Sequence, residues 1–361
     1  MTGSVTQVIS VVTAVGRVDP QHLAEAYESL RAQVLPAEWS WEWAVQSDGP
    51  HHDELPLPSA ARHDPRVRPG SQPHGGPAVA RTTALARCHG PLVRVLDADD
   101  QLPETALADA ITALSTDPAV GWTASAVLDL APDGTLTGWD GDPAEGVLPQ
   151  GSTIAAWITD PAALRIHPAT LTVRRALLVA VGGWSALPAS EDMGLLAGLD
   201  SLASGYFLAR PGLVRRSHPG QMTRTPEFAG QVAALRGLIA ERATVLRAMF
   251  PSPEEDAARA RQLLGRRLRD LRRASNLTGR DLAHEAGWHP SKVTRTEQGG
   301  RMPTPDDLRT WCAITGAQLH LQDLLAAVRN VDAVAVEARR ARARQRTIGA
   351  STDRSSPRND D

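Results

Sequence analysis

Two hydrophobic periodicities divide this chain. Up to about residue 250, short β-branched or alternating runs take turns with stretches of helical spacing; beyond that point only the helical period remains. Gln7-Val-Ile-Ser-Val-Val-Thr predicts a strand over 8–12, followed by a turn at Ala14-Val-Gly-Arg17. Asp19-Pro20 opens a helix with Leu23, Ala26, Tyr27, Leu30 and Val34 on one face, stopped by Pro36. Trp39-Ser-Trp-Glu-Trp-Ala-Val alternates as a second strand, its tryptophans on one packed face, and ends at Ser47-Asp48-Gly49-Pro50. Residues 51–78 are rich in Pro, His and Gly and read as loop, with a short strand at 66–68. A helix from Pro77 closes at His89-Gly90 and delivers the chain to Leu92-Val-Arg-Val-Leu96, a strand that stops at Asp97-Ala-Asp-Asp100.

After Pro103 a helix runs to about Leu114, then a strand from Val120 to Leu130. Residues 133–152 read as loop-rich. Pro168 to Val181 carries a strand and a helix ending at Gly182-Gly183-Trp184, and Ser190-Glu191-Asp192 precedes a helix through Leu195, Leu199 and Ala203. Phe207–Val214 is the last strand, and Gln231–Met249 an amphipathic helix. Strands alternating with helices give an open α/β sheet, with the acidic strand ends Asp48 and Asp97–Asp100 along one edge, where such sheets bind ligands. The expected division is an α/β domain over 1–250, a linker over 251–261, an all-α bundle over 262–330, and a basic helix extension with a disordered tail over 331–361.

Charge sharpens this division. Residues 1–256 hold 18 Lys+Arg against 29 Asp+Glu, a balance of -11, whereas residues 257–330 hold 13 against 7, a balance of +6. Two surfaces with different partners are implied. Lys292 is the only lysine, so the arginine excess reads as a compositional bias of the genome rather than as selection at each position. The two cysteines, Cys88 and Cys312, fit no zinc spacing and read as thiols in a reducing compartment. With neither a signal-peptide pattern nor an apolar run long enough to span a bilayer, the expected location is cytoplasmic.

A carboxylate cluster without His or Cys suits a hard cation, Mn2+ or Mg2+, which is held by one or two carboxylates together with phosphate oxygens. The ordered blocks Gly75-Gly76-Pro-Ala-Val-Ala-Arg81-Thr82, Leu96-Asp97-Ala-Asp99-Asp100, Glu191-Asp192 and Gly205-Tyr206 resemble the family 2 glycosyltransferases of GT-A fold, over roughly residues 5–225. The resemblance implies a Rossmann-like nucleotide-diphospho-sugar transferase domain. By it, Asp48 binds the nucleotide base, Arg81 lies near the nucleotide, Asp97 takes the ribose and Asp99 the metal. Asp192 becomes the base that deprotonates the acceptor hydroxyl. Arg215 and His218 match the family's basic segment after the last strand, with His218 a metal or phosphate contact. Where the family has a Pro-x-Tyr-Asn type turn after its first strand, this chain has Thr13-Ala14-Val15-Gly16, and Thr82 stands where an asparagine follows the arginine.

The basic segment from Leu264 places Leu264, Leu268 and Leu271 on one helix face. Thr278 caps a short helix ended by Gly287, and Trp288-His289-Pro290 starts another within a tight turn: helix-turn-helix spacing. Leu277-Thr278, Leu282-Ala283, Gly287-Trp288, Ser291-Lys292-Val293-Thr294-Arg295 and Glu297-x-Gly299 resemble the XRE (Cro/repressor-like) helix-turn-helix family. That resemblance implies binding to double-stranded DNA, with Pro290, Ser291 and Arg295 toward the bases and Lys292 and Thr294 near the backbone. Arg295 is the candidate for direct readout of guanine. Gly279 replaces the family's phosphate-contacting glutamine, with Arg280 beside it. Such proteins often pair on two half-sites, which makes a homodimer one option, but no dimer element is legible and the oligomeric state stays open.

Together these readings give an inverting glycosyltransferase using a nucleotide-diphosphate sugar, fused to a sequence-specific DNA-binding module. The alternative is a transcriptional regulator whose transferase-like domain senses a nucleotide sugar without turning it over. Donor, acceptor and operator are not written in the sequence.

Overall fold

The run at residues 7–15 is a strand, β1 (Gln7–Val15), whose interior positions are buried on both faces; hence its continuous β-branched sequence rather than an alternation. Helix α1 (Pro20–Arg31), capped by Asp19, leads to β2 (Trp39–Asp48), which pairs parallel to β1 with Val15 opposite Ser47. The short α2 (Ser59–Arg62) precedes β3 (Val67–Gln72), parallel to β2. Helix α3 (Pro77–Leu85) then returns the chain to β4 (Leu92–Val95) on the other side of β1. This computed structural model describes residues 6–49, 55–160, 164–217 and 226–352.

Helix α4 (Ala106–Thr116) and β5 (Val120–Leu130) follow as expected, but 133–152 is not all loop: β6 (Leu136–Gly138) pairs antiparallel with β5, and β7 (Gly146–Leu148) with the last strand. Helix α5 (Ser152–Thr159) comes next. The three-residue β8 (Thr172–Arg174) is inserted antiparallel between β4 and β5, then α6 (Arg175–Ala180), α7 (Glu191–Leu202) and β9 (Ser204–Arg216), parallel to β5. The sheet order is β3-β2-β1-β4-β8-β5-β9-β7, with β6 beside β5. Helix α8 (Pro226–Met249) packs on α5 and α7 through Ile154, Trp157, Ala197, Ile239 and Ala243.

Two cores line the sheet. One face joins Ile9, Val11, Trp41, Trp43 and Val45 to Leu23, Tyr27 and Leu30 of α1 and Leu107, Ile111 and Leu114 of α4. The other joins Val12, Ala44, Val93 and Val95 to Ala84 and Leu85 of α3, Leu178 of α6 and Leu195 and Leu199 of α7. Each fully buried Leu or Val contributes about 1.5–3 kcal/mol, enough to fix the strand register and so the position of the strand tips. Trp41 and Trp43 are core residues; the Trp43 indole donates to Thr13 Oγ1 at 2.8 Å and stacks with Tyr27. Val34, expected on the buried face of α1, lies beyond the helix end and is exposed.

Contacts divide the described residues into two units, the second spanning residues 251–347. In the second unit, the segment read as a linker over 251–261 is instead the start of a long helix, α9 (Pro253–Ala274). Ser252 and Glu255 form a reciprocal capping box and Pro253 takes the first turn, a start signal strong enough to carry the helix through that stretch. Four more helices follow: α10 (Gly279–Glu285), α11 (Pro290–Glu297), α12 (Pro305–Thr315) and α13 (Leu321–Thr352), the last continuous across the expected break at 330. Their core is Leu264, Leu268, Leu282, Val293, Leu308, Trp311 and Leu324. Among the described residues no helix is long and apolar enough to cross a membrane.

Candidate functional site

The carboxyl ends of β1 and β4, with the starts of α1 and α3, enclose a cavity of about 420 Å³ lined by Ala14, Gly16, Arg17, His22, Arg81, Asp97 and Asp99 among others. This is the strand-tip crevice where open α/β sheets place ligands. Its centre is Arg81, projected from α3 and itself buried. Nη2 donates to Asp97 Oδ1 at 2.6 Å, while Nη1 reaches Glu191 Oε1 at 3.1 Å and Asp192 Oδ1 at 3.2 Å. One guanidinium thus joins the tip of β4 to the first turn of α7. Burial disfavours its charge, but Asp192, Asp97 and Glu191 outweigh that and raise the Arg81 pKa above its ordinary value.

Asp192 behaves in the opposite sense. Burial, reinforced by the Glu191 and Asp97 carboxylates and only partly offset by Arg81, pushes it up to about 7. A carboxylate titrating there is matched to accepting a proton at neutral pH. Its placement has a backbone cause: Ser190, just before α7, adopts φ 58°, ψ 25°, the left-handed region a non-glycine residue rarely takes. Such local strain is typical of functional sites.

Asp100 is not part of the cavity. It is buried and accepts the Arg216 backbone N–H at 2.8 Å, joining β4 to β9. Burial and the neighbouring Asp97 and Asp99 carboxylates raise it well above the usual carboxylate range. Asp48 also sits behind the cavity rather than in its wall. Its Oδ1 accepts from Gly75 N at 2.7 Å and Gln72 Nε2 at 3.1 Å, and its Oδ2 accepts from Gly76 N at 2.9 Å. Gly76 caps α3 at φ 88°, which only glycine adopts readily, so Asp48 shapes the turn that aims Arg81. Thr82 acts locally as well, since its hydroxyl donates to Trp184 O and accepts from Trp184 N, pinning the Gly182–Trp184 turn to α3.

His218 lies outside the described residues. Arg215 is committed to Asp129 through two bonds of 2.7 and 3.0 Å and faces His167 Nε2 at 3.4 Å. Burial and the Arg215 charge lower His167 to about 4, so this residue, invisible to motif reading, is a neutral polar group at the same sheet edge. Trp139 packs edge-on against it and donates to Asp129. Among the described residues no three His, Cys, Asp or Glu side chains converge as a metal cage. A Mn2+ or Mg2+ arriving with a diphosphate needs only one or two protein carboxylates. Asp99, on the cavity wall two residues from Asp97, is an oxygen donor of that kind.

In the second unit, Pro290, Ser291, Thr294 and Arg295 share the exposed face of α11, with Val293, Thr296 and Glu297 buried opposite. Arg295 has no side-chain partner among the described residues. Lys292 does not join that face. Its ammonium lies 2.5 Å from Asp307 Oδ1 and 3.9 Å from the centre of the Trp288 ring, fastening α11 to α12. The acid on the next helix and the aromatic face together capture the chain's only lysine. Glu297 accepts two bonds from Arg272, at 2.6 and 2.8 Å, which holds α11 on α9 where Gly265 leaves room for the Glu297 carbonyl.

Residues 10–141 match the family model for glycosyl transferase family 2, and residues 263–325 match that for a helix-turn-helix domain. No curated protein matches the chain. Among solved structures it is similar to residues 1–349 of S. aureus TarS, at 14% identity and TM-score 0.47, over 85% of this chain and 91% of that one. The same fragment in complex with UDP-GlcNAc gives 14% identity and TM-score 0.49, over 85% and 92%. In complex with UDP it gives 14% identity and TM-score 0.47, over 87% and 91%. The two resemblances read from the sequence are the two families whose models match: the chain carries a glycosyl transferase family 2 domain and a helix-turn-helix domain.

Proposed function

We propose that the first unit is an inverting glycosyltransferase that takes a nucleotide-diphosphate sugar, and that the second binds double-stranded DNA. The observation that carries the first half is Asp192: an acid held against Arg81, which lines the cavity, with its pKa raised to about 7. In this reading Asp192 accepts the proton of an acceptor hydroxyl as that oxygen attacks the anomeric carbon. The bond to the diphosphate breaks on the opposite side, so a single displacement inverts the centre with one protein carboxylate as base. Asp97 meets the ribose and Arg81 keeps Asp97 and Asp192 in fixed relation. Asp99 would hold a divalent cation, which when bound neutralises charge on the departing nucleoside diphosphate.

For the second half, the exposed Ser291, Thr294 and Arg295 face of α11 supports entry into a major groove, with Arg295 toward guanine. Lys292 is assigned to the fold of the motif. A homodimer on paired half-sites would follow from this use of the motif.

A thermal-shift screen of UDP- and GDP-sugars, with and without Mn2+, tests the donor half. Stabilisation by one donor class that grows with Mn2+ is the expected result. No stabilisation by any nucleotide sugar would contradict it.

A further inference from the structure

The cavity needs a cation that Arg81 cannot supply. A nucleoside diphosphate is anionic, and the far wall of the cavity is acidic: Asp97 and Asp99 from the tip of β4, with Asp192 behind Arg81. Arg81 already shares its two terminal nitrogens among Asp97, Glu191 and Asp192, at 2.6 to 3.2 Å. One positive charge among three acids leaves nothing for a phosphate, even with part of that acid protonated.

The near wall is different. It is built from the turn after β1, where the small Ala14 and Gly16 leave the floor open and a side chain at Gly16 would meet nothing within 4 Å. Arg17 follows on that turn, exposed and without a side-chain partner among the described residues, and His22 in the first turn of α1 lines the same cavity. The acid on this wall, Asp19, is occupied in capping α1, accepting the Gln21 N–H at 2.9 Å. A guanidinium without a side-chain partner among the described residues, lining the same cavity of about 420 Å³ as Asp97 and Asp99, can pair with a ligand that bears phosphate.

We infer that Arg17, with His22 beside it, is the chain's own contact for the diphosphate of the donor. The inference rests on the reading of the first unit as a nucleotide-sugar site and names the residue that confers its preference for a diphosphate over a bare nucleoside. Arg17 directly follows Thr13-Ala14-Val15-Gly16, where this chain departs from the family pattern.

Calorimetric titration of the full-length protein with UDP, GDP, uridine and guanosine, in Mg2+ buffer, tests it. Arg17 is exposed, so Arg17→Ala is expected to keep the wild-type melting temperature. For the nucleoside diphosphate that the wild type binds, Arg17→Ala should weaken affinity about tenfold or more. Affinity for the matching nucleoside should stay unchanged, and Arg17→Lys should recover part of the loss. Equal diphosphate affinity in wild type and Arg17→Ala would overturn the inference while leaving the transferase reading intact. An equal loss for nucleoside and diphosphate would overturn it too, because Arg17 would then contact the base. A wild type that binds none of the four refutes both readings.

Discussion

The Arg81 guanidinium lies 3.2 Å from the Asp192 carboxylate, and its other terminal nitrogen lies 2.6 Å from Asp97. The strand tip at the cavity and the start of α7 therefore share one charge. Removing Arg81 leaves Asp97, Glu191 and Asp192 facing one another without it. Arg81→Met is expected to destabilise the first unit by about 3 kcal/mol or more, the cost of a buried carboxylate without its partner. Adding Asp192→Asn to Arg81→Met should restore part of that stability, because one repelling acid is gone. Thermal unfolding of the two variants and the double variant measures this.

The raised pKa of Asp192 gives a signed pH prediction. Only its ionised form can accept a proton, so kcat/KM for transfer should rise about tenfold per unit below pH 7 and level off above it. A rate independent of pH between 5 and 8 would remove Asp192 from the base role.

Asp200 gives the opposite sign for stability. It is buried, with Oδ2 accepting the Ile154 N–H at the start of α5, and burial pushes it up to about 6. A carboxyl whose folded pKa exceeds its unfolded value favours the fold most below the unfolded pKa, and that advantage is lost as pH rises through about 6. Asp200→Asn keeps an acceptor for Ile154 and removes the charge. It should stabilise the first unit by about 2 kcal/mol at pH 8 and have little effect near pH 4, as read by melting temperature.

Lys292 and Arg295 should separate cleanly. Lys292→Ala breaks the Asp307 pair and the contact with Trp288, so it should lower the melting temperature of the second unit. Arg295→Ala should leave that temperature within about 1 °C, since no intramolecular contact is lost. It should weaken binding to duplex DNA by about 1–3 kcal/mol, and the slope of log affinity against log salt should fall by no more than one contact.

The β-α-β start and the acidic tip of β4 were legible because buried parallel strands read as continuous apolar runs with an abrupt polar stop. The cap at Thr278 and the stop at Gly287 made the first helix of the motif legible in the same way. The strands β6 and β7 were not, because three residues cannot establish a period. In the site, residue types at motif positions pointed to Arg81, Asp97 and Asp192 but not to their shared charge, since Asp192 is 111 positions from Arg81. Asp48 and Lys292 show the limit from the other side. A motif position names a residue, whereas its hydrogen-bond partners decide whether it faces a ligand, and Gly75, Gly76 and Asp307 claim these two.

The central claim is that the carboxylates around Arg81 turn over a sugar rather than sense one. The direct measurement is release of nucleoside diphosphate from UDP- and GDP-sugars in Mn2+ buffer, with water and candidate hydroxyl acceptors, for wild type and Asp192→Asn side by side. The expected result is turnover of one donor class by the wild type, and a loss of about 100-fold or more in the variant, which still binds the donor. A donor that binds both proteins tightly and is turned over by neither would contradict the claim and make this unit a sensor.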